Sequence, residues 1–352
     1  MRTKTIKNFP QDSENYKLSG VINEEVHTYS FEIQVDKKLE WDPKDWHPIE
    51  TAHWKTASIK PYIPSSRTSE AIELAQALER PILLQGEPGS GKTKLAEAIA
   101  YDWYGEKYLS KYFEWHVKSN SKAIDGIYTF DHIARLRDAH LAGKATSIKK
   151  TTINDLSKYL QLGPLGKAFL ASTEEEPAIL LIDEIDKADI DFPNDLLLEI
   201  DEKRSRIVEP GIADITIEAE RAPLILITSN QEKELSPAFL RRCLYLYFQF
   251  PKEAILRQII HARHPGLKTD EDLATRLIAR FQKLRNEMKD NPNINRMAST
   301  SEFLDWVQAI EYSISRNKKE DVENIIDQLK FSTTLLKNLE ELKMQDLFFK
   351  SD

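Results

Sequence analysis

The sequence predicts an α/β fold: a parallel-sheet core followed by an all-helical C-terminal region, with a small N-terminal β-containing segment. Three observations carry that prediction. Short apolar runs alternate with helical patterns from about residue 61 to 251, one of those runs leads into a glycine-rich turn, and strand patterns cease after Pro251. Continuous apolar strands alternating with helices belong to a parallel sheet covered on both faces. The chain divides at 1–60 (N-terminal segment with a Pro/Trp-rich connector), 61–251 (α/β core) and 252–352 (helical region).

Composition bounds the rest. A length of 352 residues is ample for two or three domains, and 41% hydrophobic with 30% charged residues is ordinary for a soluble protein. The longest apolar runs, such as Ala178–Ile182, reach about five residues, too few to span a bilayer. The N-terminus lacks the apolar stretch of a secretory signal, so a cytoplasmic, membrane-free protein is expected. The single cysteine, Cys243, excludes an intramolecular disulfide and any multi-cysteine metal site, and it fits a reducing compartment. A net charge of -8 argues against broad, unspecific nucleic-acid binding and leaves a local basic groove open.

Taken in order, Tyr29, Phe31, Ile33 and Val35 alternate with Ser30, Glu32 and Gln34, which reads as a half-buried strand, pairing as a hairpin with the run near Val21 and Ile22. Trp41, Trp46 and Trp54 read as anchors docking the connector onto a neighbouring surface rather than as a binding platform. Core strands are expected at Ile82–Gln85, Phe113–Val117, Ile179–Ile182, Leu224–Ile227 and Leu244–Phe250. In the helix Thr93–Trp103, Leu95, Ile99 and Trp103 recur every four residues. Segments 252–263, 270–289, 299–313, 319–330 and 333–349 read as amphipathic helices, with Leu273, Leu277, Phe281 and Leu284 lining one face of the second.

The glycine-rich turn runs Gly86, Glu87, Pro88, Gly89, Ser90, Gly91, Lys92, Thr93, which is the P-loop pattern, placed after a strand and opening a helix. The glycines let backbone N–H groups approach phosphate oxygens, and the helix adds its N-terminal dipole. Lys92 brings a point charge to the terminal phosphates, and the Thr93 hydroxyl is a ligand for Mg²⁺. A second apolar strand ends in Asp183 and Glu184. Two carboxylates beside a polyphosphate call for a cation: Asp183 is assigned to the Mg²⁺ shell, and Glu184 to activating or orienting the attacking water. A third strand ends in Thr228, Ser229 and Asn230, whose amide suits that same water; a helix N-cap is the plainer role for Ser229 or Asn230. Arg241 and Arg242 stand just before the last strand and read either as stabilisers of phosphoryl-transfer charge or as solvated surface arginines.

The order GEPGSGKT, LLIDEIDKAD, FPNDLLLEIDE, ITSN and AFLRRC, over roughly residues 60–313, resembles the AAA+ ATPases, more narrowly their MoxR-like branch. The resemblance implies a sheet of strand order 5-1-4-3-2, ATP as nucleotide, and a homo-oligomeric ring, commonly hexameric, with sites between subunits. It makes Asn230 the sensor 1 residue and Arg242 the arginine finger, with Arg241 as second choice, and places a small β-insert at 207–223. It also implies a helical lid and a protein partner, possibly with a von Willebrand A domain. Two stretches depart from the family. The sensor 2 arginine is missing, Glu302 standing at the corresponding position, unless Arg296 replaces it; and residues 1–60 match nothing in the family.

Remaining features are less specific. Tyr128 or Phe130 is either an aromatic facing a ring pore or a packed loop anchor. Lys144, Lys149 and Lys150 form a basic patch that reads first as a solvated loop, and His261 and His264 share a helix face without a third metal ligand. The functional reading is an ATP hydrolase that remodels or activates a partner protein. The alternatives are a motor or switch subunit of a nucleic-acid-directed or defence complex, and a slowly hydrolysing, nucleotide-regulated scaffold.

Overall fold

A computed structural model of the chain describes residues 27–31, 55–144, 159–209, 215–264, 271–316 and 322–343. Its first strands, β1 (His27–Phe31) and β2 (Lys55–Ile59), pair antiparallel, His27 opposite Ile59. Among the described residues the partner of β1 is the end of the connector; the Val21–Ile22 run expected to pair with it lies outside the described residues, as do Trp41, Trp46 and Trp54.

The core opens with α1 (Ser66–Leu78), capped by the Ser65 hydroxyl, which accepts from the Thr68 N–H. Then come β3 (Ile82–Gly86), α2 (Lys92–Tyr104) and β4 (Tyr112–His116). Next are α3 (Ala123–Ile127), β5 (Tyr128–Phe130), α4 (His132–Lys144), β6 (Leu160–Leu162), α5 (Pro164–Ala171) and β7 (Ile179–Asp183). Short helices α6 (Phe192–Asp195) and α7 (Leu197–Glu202) precede the antiparallel hairpin β8 (Arg204–Ile207) with β9 (Ile215–Glu218). That hairpin is the small β-insert, beginning a few residues earlier than the sequence pattern marks it. The core closes with β10 (Leu224–Ser229), α8 (Pro237–Arg242) and β11 (Leu244–Phe248).

The central sheet is wholly parallel, in the order β11-β3-β10-β7-β4. Counted along the chain as core strands one to five, that is 5-1-4-3-2. Alternation explains why its strands are apolar throughout: Leu83, Leu180, Ile182, Ile225 and Ile227 enter one core layer with Phe169 and Phe239, while Ile82, Leu84, Ile179, Leu181 and Leu226 enter the other with Leu95 and Ile99. The parallel register brings the carboxyl ends of β3, β7 and β10 side by side, with Ser229 opposite Gln85 and Ile227 opposite Ile182. Ligand sites of open α/β sheets form at that edge. Tyr128 and Phe130 lie in the β5–β6 pair, Tyr128 buried in the core and Phe130 packed edge-on against Tyr159, the arrangement of loop anchors.

The helical region has its own core. It comprises α9 (Glu253–Arg263), α10 (Glu271–Asp290), α11 (Thr300–Arg316) and α12 (Val322–Asp327), packed around Leu277, Phe281, Phe303 and Trp306. Phe281 stacks on Phe303 with centroids 4.4 Å apart, and the Trp306 indole donates to the Lys330 carbonyl at 2.7 Å. The segment read as a helix over 333–349 differs. Phe331 adopts a left-handed φ of 64°, a short 3-10 turn covers Ser332–Thr334, and Leu335 and Leu336 are buried in the helical core. Helical backbone resumes only at 339 and continues to the end of the described stretch. Burying two adjacent leucines against the other helices breaks the helical register.

Arg296 belongs to this core and not to a phosphate site. It donates to Glu341 at 2.9 Å, to Glu302 at 2.9 Å and to the Leu335 carbonyl at 2.7 Å. Glu341 is fully buried and also accepts from the Lys337 N–H and the Asn338 amide. Arg296 is thus no replacement for a sensor 2 arginine, because two carboxylates already claim it. Replacing it leaves a buried carboxylate without its cation, a loss of about 3 kcal/mol. Arg296→Met should lower unfolding stability by that amount in denaturant titration, and adding Glu341→Leu should recover most of it.

Candidate active site

The phosphate loop grows out of β3. At Gly91 the backbone takes φ +92° to begin α2, and at Gly89 φ is +68° with the hydroxyls of Ser299 and Ser301 so close that a Cβ would lie within 2.7 Å of both. Only glycine meets both demands at Gly89. Lys92 is buried, and its ammonium donates to the carbonyls of Gly86 (2.8 Å) and Glu87 (3.0 Å). Burial lowers its pKa, while the carboxylates of Asp183, Asp186, Glu184 and Glu87 oppose that shift.

A cleft of about 770 Å³ opens above the loop. Pro88 to Lys94 form its floor, Ile63 with Ile255, Ile259 and Leu304 an apolar wall, and Asp183, Glu184, Thr228 and Asn230 its acidic and polar end. The hydroxyls of Ser90 and Thr300 line this cleft, buried and without a hydrogen-bond partner in the protein. Buried polar atoms of this kind are ordinarily satisfied. Cleft size, apolar wall and unmet polar capacity together fit a nucleotide.

The acidic end is one connected network. The Thr93 hydroxyl donates to Asp183 Oδ1 at 3.0 Å and the Thr228 hydroxyl to the same oxygen at 2.7 Å. Thr228 Oγ1 in turn accepts the Glu184 N–H at 2.8 Å, and the Asn230 amide donates to Glu184 Oε1 at 3.2 Å. Glu184 sits at φ +59°, a left-handed conformation that costs a non-glycine residue about 1 kcal/mol and that re-aims its side chain after the strand ends. Lys187 pairs with its carboxylate as well. His116 Nδ1 lies 3.3 Å from the other oxygen of Asp183. Among the described residues no group of three or more His, Cys, Asp or Glu is placed to hold a metal. One hydroxyl and one carboxylate are what Mg²⁺ takes when phosphates and waters complete its octahedron, so Thr93 and Asp183 fit that ion.

The structure thus gathers Gly86 to Thr93, Asp183, Glu184 and Asn230 at one edge of the sheet. Glu87 is the exception within its loop, its carboxylate turned to Arg285 of α10 at 3.0 Å. Arg241 and Arg242 do not line the cleft; both are exposed at the end of α8, where Arg242 pairs with Asp201 at 2.5 Å. Glu302, which the resemblance sets at the sensor 2 position, accepts from the N–H of Ser299 at 2.7 Å and so caps α11.

Sequence reasoning overlooked three residues. Thr228 joins the two carboxylates. Asp186, buried, accepts the N–H groups of Asn230 (3.0 Å) and Glu232 (2.8 Å) and so fixes the turn that carries Asn230. The third acidic position of the IDEID run was the available signal. Arg263, at the end of α9, lines the cleft beside Tyr62 with its Nε buried and unpartnered. Burial lowers its pKa against the pull of Asp305 and Tyr62; no local pattern marks it, because its neighbours come from across the chain.

Thr228→Val removes the bridge between Asp183 and the Glu184 backbone and leaves a buried N–H without a partner. The variant should lose about 1–3 kcal/mol of stability in denaturant titration.

Residues 81–243 match the family model described as AAA domain, dynein-related subfamily. No curated protein matches the chain significantly. Among the described residues no helix is long and apolar enough to cross a membrane. Strand order, phosphate loop and helical layer make this an α/β P-loop fold of the AAA+ type, and residues 81–243 are similar to the dynein-related AAA domain.

Proposed function

We propose that the chain is a MoxR-like AAA+ ATPase that hydrolyses Mg-ATP and uses the cycle to remodel or activate a separate protein in a reducing, cytoplasmic compartment. The observation that carries this reading is the hydrogen-bonded series Thr93, Asp183, Thr228, Glu184, Asn230 at the mouth of the cleft. Mg²⁺, when bound, supplies positive charge to the terminal phosphates. Thr93 and Asp183 would hold that ion. Lys92 exchanges a loop carbonyl for phosphate oxygen. Glu184 accepts the proton of the attacking water, and Asn230, anchored through Asp186, keeps the Glu184 carboxylate and that water aligned.

Glu184→Gln should retain ATP binding and lower hydrolysis by about two orders of magnitude or more, measured as phosphate release beside equilibrium binding. A slowly turning-over scaffold is the second reading, favoured by the double hold of Asn230 and Lys187 on Glu184. Wild-type turnover well below that of active hydrolases, rising in Lys187→Ala, would support it.

The position of Arg242 outside its own cleft suits a residue that serves a neighbouring subunit in a homo-oligomeric ring. An arginine supplied in trans is worth about 10³ or more in rate. Arg242→Ala should bind ATP and barely hydrolyse it, and Lys92→Ala should not bind. Mixing the two, once subunit exchange is demonstrated, should restore activity that neither has alone. No restoration would rule out Arg242 as the trans group and leave Arg241 as the next variant.

A further inference from the structure

The phosphate loop carries a negative charge of its own. Glu87 lies between Gly86 and Pro88, and its backbone carbonyl is one of the two that hold the Lys92 ammonium. A carboxylate at that position opposes the approach of a polyphosphate. Left free, it would weaken the site around which the rest of the cleft is built.

It is not left free. Arg285 of α10, remote in sequence, places Nη2 at 3.0 and 3.3 Å from the two carboxylate oxygens. Its guanidinium is locked from three sides. It stacks on the Phe250 ring with 3.7 Å to the centroid, Nη1 donates to the Ala298 carbonyl, and the side chain is buried, only 9% exposed. Phe250 packs in turn on Phe281 of the helical core, at 5.9 Å between centroids. The far side of the same loop is tied to the same layer, since the Ser301 N–H donates to the Gly89 carbonyl at 3.2 Å. A cation immobilised on a rigid layer holds its partner with little further loss of freedom.

We infer that Arg285 is a positioning residue for the phosphate loop: it cancels the charge of Glu87 and thereby makes nucleotide affinity depend on the docking of the helical layer. The inference rests on the reading of the cleft as an ATP site. It assigns the helical region a part in binding that does not require an arginine facing the phosphates. Whatever pulls α10 away from the loop leaves the Glu87 carboxylate uncompensated within the loop and weakens the hold on the nucleotide.

The test is a charge cycle on the full chain, read by equilibrium titration with a fluorescent ATP derivative and Mg²⁺ at two salt concentrations. Arg285→Met keeps the packing on Phe250 and removes the charge; its affinity should fall about tenfold at low salt and less at high salt. Adding Glu87→Gln should bring the affinity back to within about twofold of wild type, and Arg285→Lys should hold most of it. Glu87→Gln alone should bind more tightly than wild type, with the gain shrinking as salt rises. A purely structural bridge predicts instead that stability falls while affinity does not, or that the Arg285→Met loss is not recovered by Glu87→Gln; either result overturns the inference. Should Arg285→Met fail to fold, Glu87→Gln decides alone, and an affinity unchanged at every salt concentration overturns it. A wild-type chain that binds no ATP would sink the nucleotide reading itself, and this assignment with it. ATP binding indifferent to both charges sinks only the assignment.

Discussion

One carboxylate oxygen organises this site. Asp183 Oδ1 accepts hydrogen bonds from Thr93 at the start of α2 and from Thr228 near the end of β10, so a single atom joins the phosphate loop, the acidic strand and the strand that leads to Asn230. The geometry is possible because the parallel register sets the ends of β3, β7 and β10 level with one another. In a low-dielectric edge of the sheet each of these bonds strengthens the next, and each is costly to leave unmade. Thr228 extends the chain to the backbone of Glu184, whose left-handed conformation is held by that contact and by the Asn230 amide.

The helical layer is more than a cover. Its own core is apolar and self-contained, built on Phe281, Phe303 and Trp306, yet it reaches the phosphate loop through Arg285 and through the amino end of α11. At Gly89 the two parts are in tight contact, and the hydroxyls of Ser299 and Ser301 occupy the space a side chain would take. The glycine-rich loop is therefore shaped from both sides, by the strand beneath it and by helices that arrive about two hundred residues later in the chain.

Arginines illustrate how position sets role. Arg296 neutralises buried Glu341 and the helix-capping Glu302, and Arg285 neutralises Glu87. Arg263 faces the cleft with an unpartnered Nε, and Arg242 stands outside it against Asp201. Only the last two keep donors that a nucleotide or a neighbouring chain can use without first breaking a buried ion pair.

Much of this was legible in one dimension. A glycine pattern followed by Lys92 and Thr93, and an apolar strand running into Asp183 and Glu184, are local: the residues proposed for the chemistry are adjacent in the chain, and backbone geometry carries them to one place. Apolar strands without alternation likewise imply a sheet covered on both faces, and the strand order follows the family resemblance. Tertiary structure decided what depends on distant partners. Among the described residues the antiparallel mate of the N-terminal strand is Lys55–Ile59, more than twenty residues further along the chain, a pairing that no local pattern marks. The helix expected over 333–349 is interrupted, because two leucines and Glu341 are worth more in the helical core than one continued helix. Thr228, Arg263 and Arg285 carry no local signature, since a hydroxyl or a guanidinium becomes part of a site only when the fold brings its partner within hydrogen-bonding reach.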